Sequence, residues 1–486
     1  MRFSVSELLN FYRCQRLLFL NKYGDKKLQL APSDFLKRLW KFGRAYESNV
    51  VDFFKYEKPK YKIGDYEKGF EETLKLMKAG VETIYQGVLK NDELQGIPDF
   101  LIKTEGHSLL GNYYYYAVDV KGASTSRERY LFQLASYSYL VGEIQGFTPL
   151  YGGLLLLDMD LQIRYFHSLI KQVVYGINES KKILSNPDAT PDLFIDSNCQ
   201  MCQWYNFCLP EANEREHLSL VYGVNKKIKG KLEEIEIKNY AELASCTEED
   251  FTEIEELAGE KGKSVIIQSR CLKEKKIYLK SAPDIRKEEK EIFIDFESDM
   301  VLDKKGTELT RIDYLIGLLK CNGEKKDYSS LLLEVTEEQL LSDFTKFLDE
   351  HKDYTFYHYG HYEKSIFEDK WKDLPRVNLV NIEKIIKNSI VLPVSSYSLK
   401  NIAKLLGFKW RNKDANAMQS MCWYSNYLET KDRKYLDLSV EYNHDDCLAL
   451  YFIKEWLVSL REKEVPLMSF FEEDKNNRYK SHRNII

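Results

Sequence analysis

Two aspartates and a lysine in the first third of the chain have the spacing of a hydrolytic metal site. The stretch GIPDFLIK holds Asp99, and YYAVDVKGAS holds Asp119 and Lys121. Residues at i and i+2 of a β-strand project from the same face, so Asp119 and Lys121 can point at one site, with Asp99 on the neighbouring strand. Phosphodiester hydrolysis needs carboxylates that bind Mg²⁺ and a cation that orients water or stabilises developing charge.

A D-x-K pair is common by itself, and a surface strand of alternating charges is the ordinary alternative. The following segment, FQLASY, favours the catalytic interpretation. It places Gln133 and Tyr137 four positions apart, which is one face of a helix directly after the strand.

A second set of carboxylates lies in the C-terminal half. FIDFES contains Asp295 and Glu297, YHYGHYEKSIFE contains Glu363, and EYNHDDCLAL contains Tyr442 and Asp446. The first pair shares a strand face, and the last pair is one helical turn apart. Four carboxylates and a tyrosine suit two metal ions roughly 3.5–4 Å apart, one activating water and one stabilising the leaving oxygen. The neighbouring Asp445 is expected to be a solvated helix residue.

Three of the nine cysteines lie within CQMCQWYNFC, at Cys199, Cys202 and Cys208. A disulfide, a zinc site, an iron–sulfur cluster and plain buried thiols are the alternatives. The sequence has no signal peptide and no apolar run near the roughly 20 residues that span a bilayer, so we expect a cytoplasmic protein without a membrane partner. Reducing conditions there disfavour disulfides and favour a metal site. The other cysteines, apart from Cys14, are expected to be core thiols: Cys246, Cys271, Cys321, Cys422 and Cys447.

Length and composition predict a multidomain globular protein. The chain has 486 residues, of which 44% are hydrophobic and 30% charged, and a single core rarely grows to that size. The net charge of −5 argues weakly against nucleic acid, because binding depends on local basic patches, and two are present at 225–231 and 270–287. A solvated face is the alternative for such charge runs.

The elements that must position these residues follow an α/β pattern. Helical periodicity is predicted for 33–56 and 69–90, followed by a strand at 113–121, a helix, a second strand at 149–158 and a helix near 168–185. Small helices followed by a basic strand or loop are predicted for 211–285. A new pattern begins at 291, with strands at 291–298 and 311–320, a helix at 336–350, a strand at 353–359 and helices to the end.

The ordered motifs of the first half resemble the RecB-like nucleases of the PD-(D/E)xK superfamily, closest to the branch of the CRISPR-associated iron–sulfur exonucleases. The motifs are Cys14, Gly43 with Glu47, Asp99, Asp119-x-Lys121, Gln133-xxx-Tyr137, and Cys199, Cys202 and Cys208. The resemblance implies a restriction-endonuclease-like fold over 1–210, Glu47, Asp99 and Asp119 as metal ligands, and Lys121, Gln133 and Tyr137 as catalytic residues. It also implies that the four cysteines bind a [4Fe–4S] cluster, although zinc uses the same four thiolates and fits the spacing as well.

One position departs from that pattern. The family has a histidine metal ligand before the glutamate, and FGRAYE has Tyr46 there. A neutral phenol is a poor ligand for Mg²⁺ or Mn²⁺, so weaker metal binding or compensation by Glu47 is expected.

The second half resembles the DEDD exonucleases of the ribonuclease H-like fold, in their tyrosine subclass. The order D-x-E, then an acid, then Y-xxx-D carries the resemblance, together with HYGHYEKSIF and SYSLKNIAKLLGF. It implies metal binding by Asp295, Glu297, Glu363 and Asp446, with Tyr442 orienting the attacking water. Glu363 stands where most members have aspartate. A degenerate scaffold without activity is the alternative.

The segment between the two domains resembles a helix-hairpin-helix, with Gly223 in the hairpin and Asn225 in place of the second glycine. Such hairpins bind phosphates through backbone N–H groups, which predicts nucleic-acid contacts at Gly223, Lys226 and Lys227. A structural spacer is the alternative.

The sequence therefore predicts a PD-(D/E)xK domain at 1–210, a connector at 211–287 and a ribonuclease H-like exonuclease domain at 288–486. The predicted function is Mg²⁺- or Mn²⁺-dependent DNA hydrolysis, with 3′→5′ polarity in the C-terminal domain. The chain lacks a P-loop motif, so a separate helicase or recombination partner is expected to supply any motor. A nucleic-acid-binding or assembly factor with a vestigial site and an RNA-processing exonuclease are the alternatives.

Overall fold

The computed structural model describes residues 2–157, 159–302, 309–413 and 415–462. The predicted strand at 149–158 and domain at 288–486 therefore extend partly outside the described residues. The chain divides into two compact units, residues 1–208 with 301–310, and residues 209–300 with 311–486. Among the described residues, no helix has the length and apolar character to cross a membrane.

The first unit combines helices with two β-sheets. Its helices are α1 (Val5–Arg13), α2 (Gln15–Tyr23), α3 (Asp34–Val51), α4 (Tyr66–Lys78), α5 (Glu128–Gln145), α6 (His167–Ser185) and α7 (Tyr205–Glu214), the last running into the second unit. Its strands are β1 (Phe3–Ser4), β2 (Thr83–Tyr85), β3 (Leu89–Lys90), β4 (Leu94–Gly96), β5 (Phe100–Ser108), β6 (Gly111–Val120), β7 (Tyr151–Leu155) and β8 (Leu161–Tyr165).

The larger sheet of this unit has the order β2-β5-β6-β7-β8. Strands β5 and β6 are antiparallel, whereas β6 and β7 are parallel and joined through α5. Side chains alternate along β6, so Tyr115 and Ala117 pack with α5, while Tyr116 and Val118 pack with α3. Asp119 therefore lies on the face that α5 covers.

The predicted helix at 69–90 is wrong in its second half. Helix α4 ends at Lys78, Gly80 has a φ of +68°, and β2 begins at Thr83. A positive φ favours glycine and cannot continue a right-handed helix. The β-branched residues that follow fit a strand, and Ile84 pairs with Leu101 of β5.

The second unit begins with a small helical segment. It contains α8 (Lys226–Glu234), α9 (Tyr240–Leu243), α10 (Glu260–Glu274) and strand β9 (Tyr278–Leu279). These helices enclose a core of their own that includes Leu232, Leu243 and Val265. The Gln268 side chain donates hydrogen bonds to the carbonyls of Leu392 and Val394, at 2.6 and 3.0 Å, which attaches this segment to the following domain.

The rest of the second unit is an α/β domain. Its strands are β10 (Lys290–Leu302), β11 (Leu309–Asn322), β12 (Lys325–Leu332), β13 (Thr355–His358), β14 (Asn378–Asn381) and β15 (Ile390–Val391). Its helices are α11 (Glu337–Glu350), α12 (Tyr362–Ser365), α13 (Ile382–Ser389), α14 (Leu399–Leu405), α15 (Ala417–Thr430) and α16 (Arg433–Glu462). The sheet order is β12-β11-β10-β13-β14, and the short strand β15 pairs instead with β9.

The central strand β10 separates two cores. Ile292, Ile294 and Phe296 face α11, in a core with Phe344. Phe293, one position out of phase, faces α16, in a core with Leu450. Asp295 and Glu297 have the same parity as Phe293, so the strand period places both carboxylates on the α16 side.

Candidate active sites

The first predicted site lies where β5 begins and β6 ends. Asp99 immediately precedes β5, and its carboxylate accepts a hydrogen bond from the backbone N–H of Val120 at 2.6 Å. Asp119 is 1% exposed, and its Oδ2 lies 2.5 Å from Nζ of Lys121. Burial and the charges of Asp119 and Glu47 raise the pKa of Asp99 well above its usual range, while Lys121 opposes that shift.

Helices α3 and α5 bring the remaining residues to this site. Glu47 accepts hydrogen bonds from the hydroxyl of Tyr85 and the amide of Gln86, both at 3.1 Å. The Gln133 amide donates to the Tyr137 hydroxyl at 2.9 Å. Burial and the negative charge of Asp119 raise the pKa of Tyr137 well above its usual range, so it is a neutral phenol at physiological pH. The structure thus collects the six predicted residues, namely Glu47, Asp99, Asp119, Lys121, Gln133 and Tyr137.

Tyr46, at the position where the family has a histidine, is a core residue. It is fully buried in the core beneath α3, and its hydroxyl donates to the carbonyl of Leu156 at 2.5 Å. Within the described ranges, three carboxylate oxygens from Glu47, Asp99 and Asp119 do not lie within 4.8 Å of one another. This acidic group is therefore looser than the one in the second unit.

The four cysteines of interest lie at one end of the first unit. Cys14 connects α1 to α2, and it packs with Cys202 and Cys208 in a cluster that includes the buried Trp204. Asn21 holds the cysteine-rich segment against α2, because its side-chain oxygen accepts from Trp204 Nε1 and Gln203 Nε2, both at 2.9 Å. Burial raises the pKa of Cys199 and Cys208 to about 11, and the nearby Cys14 contributes to the shift at each.

The other five cysteines differ in exposure. Four of them, Cys271, Cys321, Cys422 and Cys447, are buried thiols, whereas Cys246 is partly exposed.

The residues predicted to contact nucleic acid lie at or just before the start of α8, in the helical segment of the second unit. Gly223 has a φ of +97°, and Asn225 caps α8 by accepting from the backbone N–H of Ile228 at 2.9 Å. Lys226 and Lys227 begin the helix, and Lys227 forms an ion pair with Glu256 at 2.5 Å. The asparagine thus supplies a helix cap at the position expected for a second glycine.

In the second unit, three carboxylates meet between β10 and α16. One oxygen from each of Asp295, Glu297 and Asp446 lies within 4.8 Å of the other two. Burial is the main cause that raises the pKa of all three groups, that of Asp446 to about 6, and mutual repulsion adds to the shifts of Asp295 and Glu297. Three acids in repulsive contact, of which Glu297 and Asp446 are buried and Asp295 is partly exposed, form a donor set that a divalent cation stabilises.

Neutral neighbours hold these carboxylates in place. Asn443 Nδ2 donates to Asp295 Oδ2 at 2.7 Å, and Trp410 Nε1 donates to Asp446 Oδ1 at 2.7 Å. The Tyr314 hydroxyl lies 3.4 Å from Glu297 Oε2. These donors are neutral and fix the geometry of the carboxylates, while the charge of Lys400 and the Trp410 hydrogen bond partly oppose the rise in the pKa of Asp446.

Tyr442 and Glu363 both lie beside the three carboxylates but make different contacts. The Tyr442 hydroxyl donates to Asp446, and burial with the charge of Asp446 raises its pKa well above its usual range. Glu363 is 4% exposed and close enough for its charge to contribute to the raised pKa of Asp295. Its Oε2 lies 3.4 Å from Nδ1 of His358.

The prediction that Asp445 is a solvated helix residue is wrong. Asp445 is 3% exposed and pairs with Arg411, whose Nε and backbone N–H donate to it at 2.7 and 2.8 Å. Helix α16 packs against α14 and α15 on this side, so few of its faces reach water.

Sequence reasoning missed Asn443, Trp410 and His358. Asn443 could have been found, because it stands three positions before Asp446 and therefore shares its helical face. Trp410 is in a loop after α14, and nothing in the local pattern connects it to α16.

Gly317 of β11 leaves the space that the Asn443 side chain occupies. A Cβ added at Gly317 would lie 1.6 Å from Asn443 Oδ1. We therefore expect Gly317→Ala to displace the amide from Asp295 and to lower the free energy of unfolding by about 1–3 kcal/mol, the typical cost of overpacking. Urea titration measures this cost, and Gly230→Ala is the control because its added Cβ meets no atom within 4 Å. Equal stability of the two variants would contradict this account of Gly317.

Residues 292–458 match a family model described as the RNase_H superfamily. The C-terminal domain is RNase H-like. Such a domain indicates a nuclease with a nucleic-acid substrate, and RNase H-like nucleases use divalent metals. The predicted ribonuclease H-like domain is confirmed to this extent. Comparison with curated proteins gives no significant match to the chain.

Proposed function

We propose that the chain is a metal-dependent nuclease that hydrolyses DNA, with 3′→5′ exonuclease activity in its RNase H-like domain. The convergence of Asp295, Glu297 and Asp446 carries the proposal. Three acids that repel one another, two of them buried, cost stability unless a cation compensates their charge, so the arrangement supports a metal-dependent hydrolase.

The donor set fits Mg²⁺ or Mn²⁺, since carboxylate oxygens are the ligands these ions prefer. Asp295, Glu297 and Asp446 would hold the metal, and Glu363 would join them by turning from His358. The metal supplies Lewis-acid activation of water and stabilisation of the phosphoryl oxygens.

The protein's own groups would position the reactants. The Tyr442 hydroxyl keeps its proton at physiological pH, because burial and negative neighbours raise its pKa. It therefore acts as a hydrogen-bonding group that orients the attacking water and not as a general base. Asn443 keeps the Asp295 carboxylate in a fixed orientation through its 2.7 Å hydrogen bond.

We propose a second nuclease site of the PD-(D/E)xK type in the first unit. The support is the ion pair of the buried Asp119 with the partly exposed Lys121, with Asp99 beside it, because a lysine against a carboxylate site can orient water or stabilise negative charge on the phosphate. The looser spacing of its acids favours weaker metal binding there than in the RNase H-like domain.

We further propose that Cys14, Cys199, Cys202 and Cys208 bind a [4Fe–4S] cluster. Tetrahedral zinc with bonds of about 2.3 Å would hold the four sulfurs roughly 3.8 Å apart. Within the part of the chain that the structure describes, no three cysteine sulfurs lie within 4.8 Å of one another. The choice of a cluster over a single zinc ion rests on the resemblance of the four-cysteine pattern to the iron–sulfur exonucleases. The chain would act in the cytoplasm, with any helicase motor supplied by a separate partner.

A digestion panel tests the function. The full chain is incubated with single- and double-stranded DNA and RNA, labelled at either end, in Mg²⁺, Mn²⁺ or EDTA. We expect a 5′-labelled DNA strand to give a ladder of successively shorter products, and a 3′-labelled strand to release a labelled mononucleotide at once. Cleavage of RNA alone would contradict the DNA substrate, internal cuts would contradict the exonuclease, and cleavage in EDTA would contradict the metal.

A further inference from the structure

Helix α3 presents a cationic face with an exposed tryptophan in its middle. Lys37, Lys41 and Arg44 are exposed, and Trp40 is 47% exposed between them. Spacings of three and four residues place all four side chains on one face of the helix. Lys37 pairs with Asp34 at 3.0 Å, but both partners are more than half exposed, so this contact contributes little.

This face leads to the first active site. Glu47 lies three residues beyond Arg44, and it belongs to the acidic cluster around Asp99. Phe42 packs on the glycine that follows Lys121, because a Cβ at Gly122 would lie 2.7 Å from the Phe42 ring. Helix α3 is thereby fixed against the loop that carries the catalytic lysine.

A further cation lies at the start of α5. Arg129, in the first turn of α5, lies 5.0 Å from the ring centroid of Tyr130, and Lys121 lies 5.7 Å from the same centroid. Helices α3 and α5, which both carry residues of the site, thus also carry cations. Their sign is opposite to the net charge of the chain, which is −5.

We propose that the exposed face of α3 binds single-stranded nucleic acid and guides it to the site of Asp119 and Lys121. Lys37, Lys41 and Arg44 contact phosphates, and Trp40 stacks on an unpaired base, which is the combination that sequence-independent single-strand binding uses. The ten helical steps from Lys37 to Glu47 span about 15 Å, roughly four stacked nucleotides. This inference rests on the proposed nuclease function of the first unit.

The test measures the affinity of the full chain for a fluorescein-labelled single-stranded DNA 20-mer by anisotropy. Every protein compared also carries Asp119→Asn and Asp295→Asn, so that the DNA is not cleaved during the measurement. Lys41→Glu with Arg44→Glu should weaken binding at least tenfold and make the slope of log affinity against log salt shallower by about 1.4, since each single-strand phosphate contact contributes about 0.7. Trp40→Ala should weaken binding roughly fivefold or more without changing that slope.

The matched control is Lys171→Glu with Tyr175→Ala on α6. It changes an exposed cation and an aromatic residue that is 58% exposed, on another helix of the same unit. We expect this variant to bind as the parent does. If the α3 variants bind DNA as tightly as the parent does, the inference is overturned and the exposed face of α3 would suit a protein partner instead. A loss of affinity in the α6 variant equal to that in the α3 variants would also overturn it.

A second measurement separates this inference from the proposed function. With both active sites intact, the α3 variants should hydrolyse bis-p-nitrophenyl phosphate at the parent rate, because so small a diester does not extend from the site to residues 37–44. A parent chain that cleaves no phosphodiester and binds no oligonucleotide would overturn both proposals. A parent that cleaves DNA, with α3 variants of unchanged affinity, would overturn the inference alone.

Discussion

Asp295→Ala should remove most 3′-end trimming by the full chain, whereas Lys121→Ala should remove a smaller component that Mn²⁺ favours. The RNase H-like site has three acids with oxygens within 4.8 Å of one another, and no such group of three is found among the described residues of the first unit. Loss of a residue that only supports a metal ligand typically costs 10–100-fold, so loss of the ligand itself should exceed about 100-fold. Mn²⁺ binds a given ligand set more tightly than Mg²⁺ does. Mn²⁺ should therefore raise the activity of the looser site in the first unit more than that of the RNase H-like site.

The measurement is the initial rate of mononucleotide release from 3′-labelled DNA in each metal. Asp327→Ala is the matched control, because it removes an exposed carboxylate from β12 of the same sheet. If Lys121→Ala abolishes all cleavage and Asp295→Ala leaves it unchanged, the ranking is wrong and the C-terminal site is the vestigial one.

The isosteric change Asp295→Asn separates loss of metal binding from misfolding. The pKa of Asp295 is raised in the folded chain, so its ionised form destabilises the fold at any pH above the ordinary value for aspartate. Removing that charge should leave the metal-free protein at least as stable as the parent at pH 8, while activity is lost. If Asp295 had only a structural role, Asp295→Asn would lower the stability of the metal-free protein together with the activity.

The parts of the RNase H-like site that depend on local periodicity could be predicted from the sequence. Asp295 and Glu297 share a strand face, and Tyr442 and Asp446 share a helix face, so each pair follows from a period of 2 or 3.6 residues. That the two pairs meet between β10 and α16 followed from the resemblance, since spacing within an element says nothing about which elements pack together.

The residues that hold the carboxylates of this site in place could not be predicted from local periodicity. Asn443 reaches Asp295 only because a residue without a side chain, Gly317, lies on the neighbouring strand. The direction of Glu363 toward His358 depends on rotamers at the end of β13. The error at residues 79–90 has a different cause, because the apolar spacing there fits a helix, and the positive φ at Gly80 ends it.

Cys202→Ser should bleach the protein and destabilise the first unit. The parent, purified without oxygen, should be brown, with broad absorbance near 400 nm and about four irons per chain. Cys14 and the segment 199–208 are about 185 residues apart in sequence, so a shared cluster ties the two ends of the unit together. Because the unfolded chain has no preformed site, the free energy of binding contributes to folding.

Iron content, the absorbance spectrum and thermal unfolding measure the effect. If losing the cluster costs even about 5 kcal/mol, the transition of a domain of this size should fall by roughly 10–20 °C. Cys246→Ser is the control, because it removes a partly exposed thiol of the second unit and should leave iron and unfolding unchanged. Stoichiometric zinc without iron in the parent would exclude the iron–sulfur cluster and keep the four-cysteine site. A Cys202→Ser protein with full iron content would exclude Cys202 as a ligand.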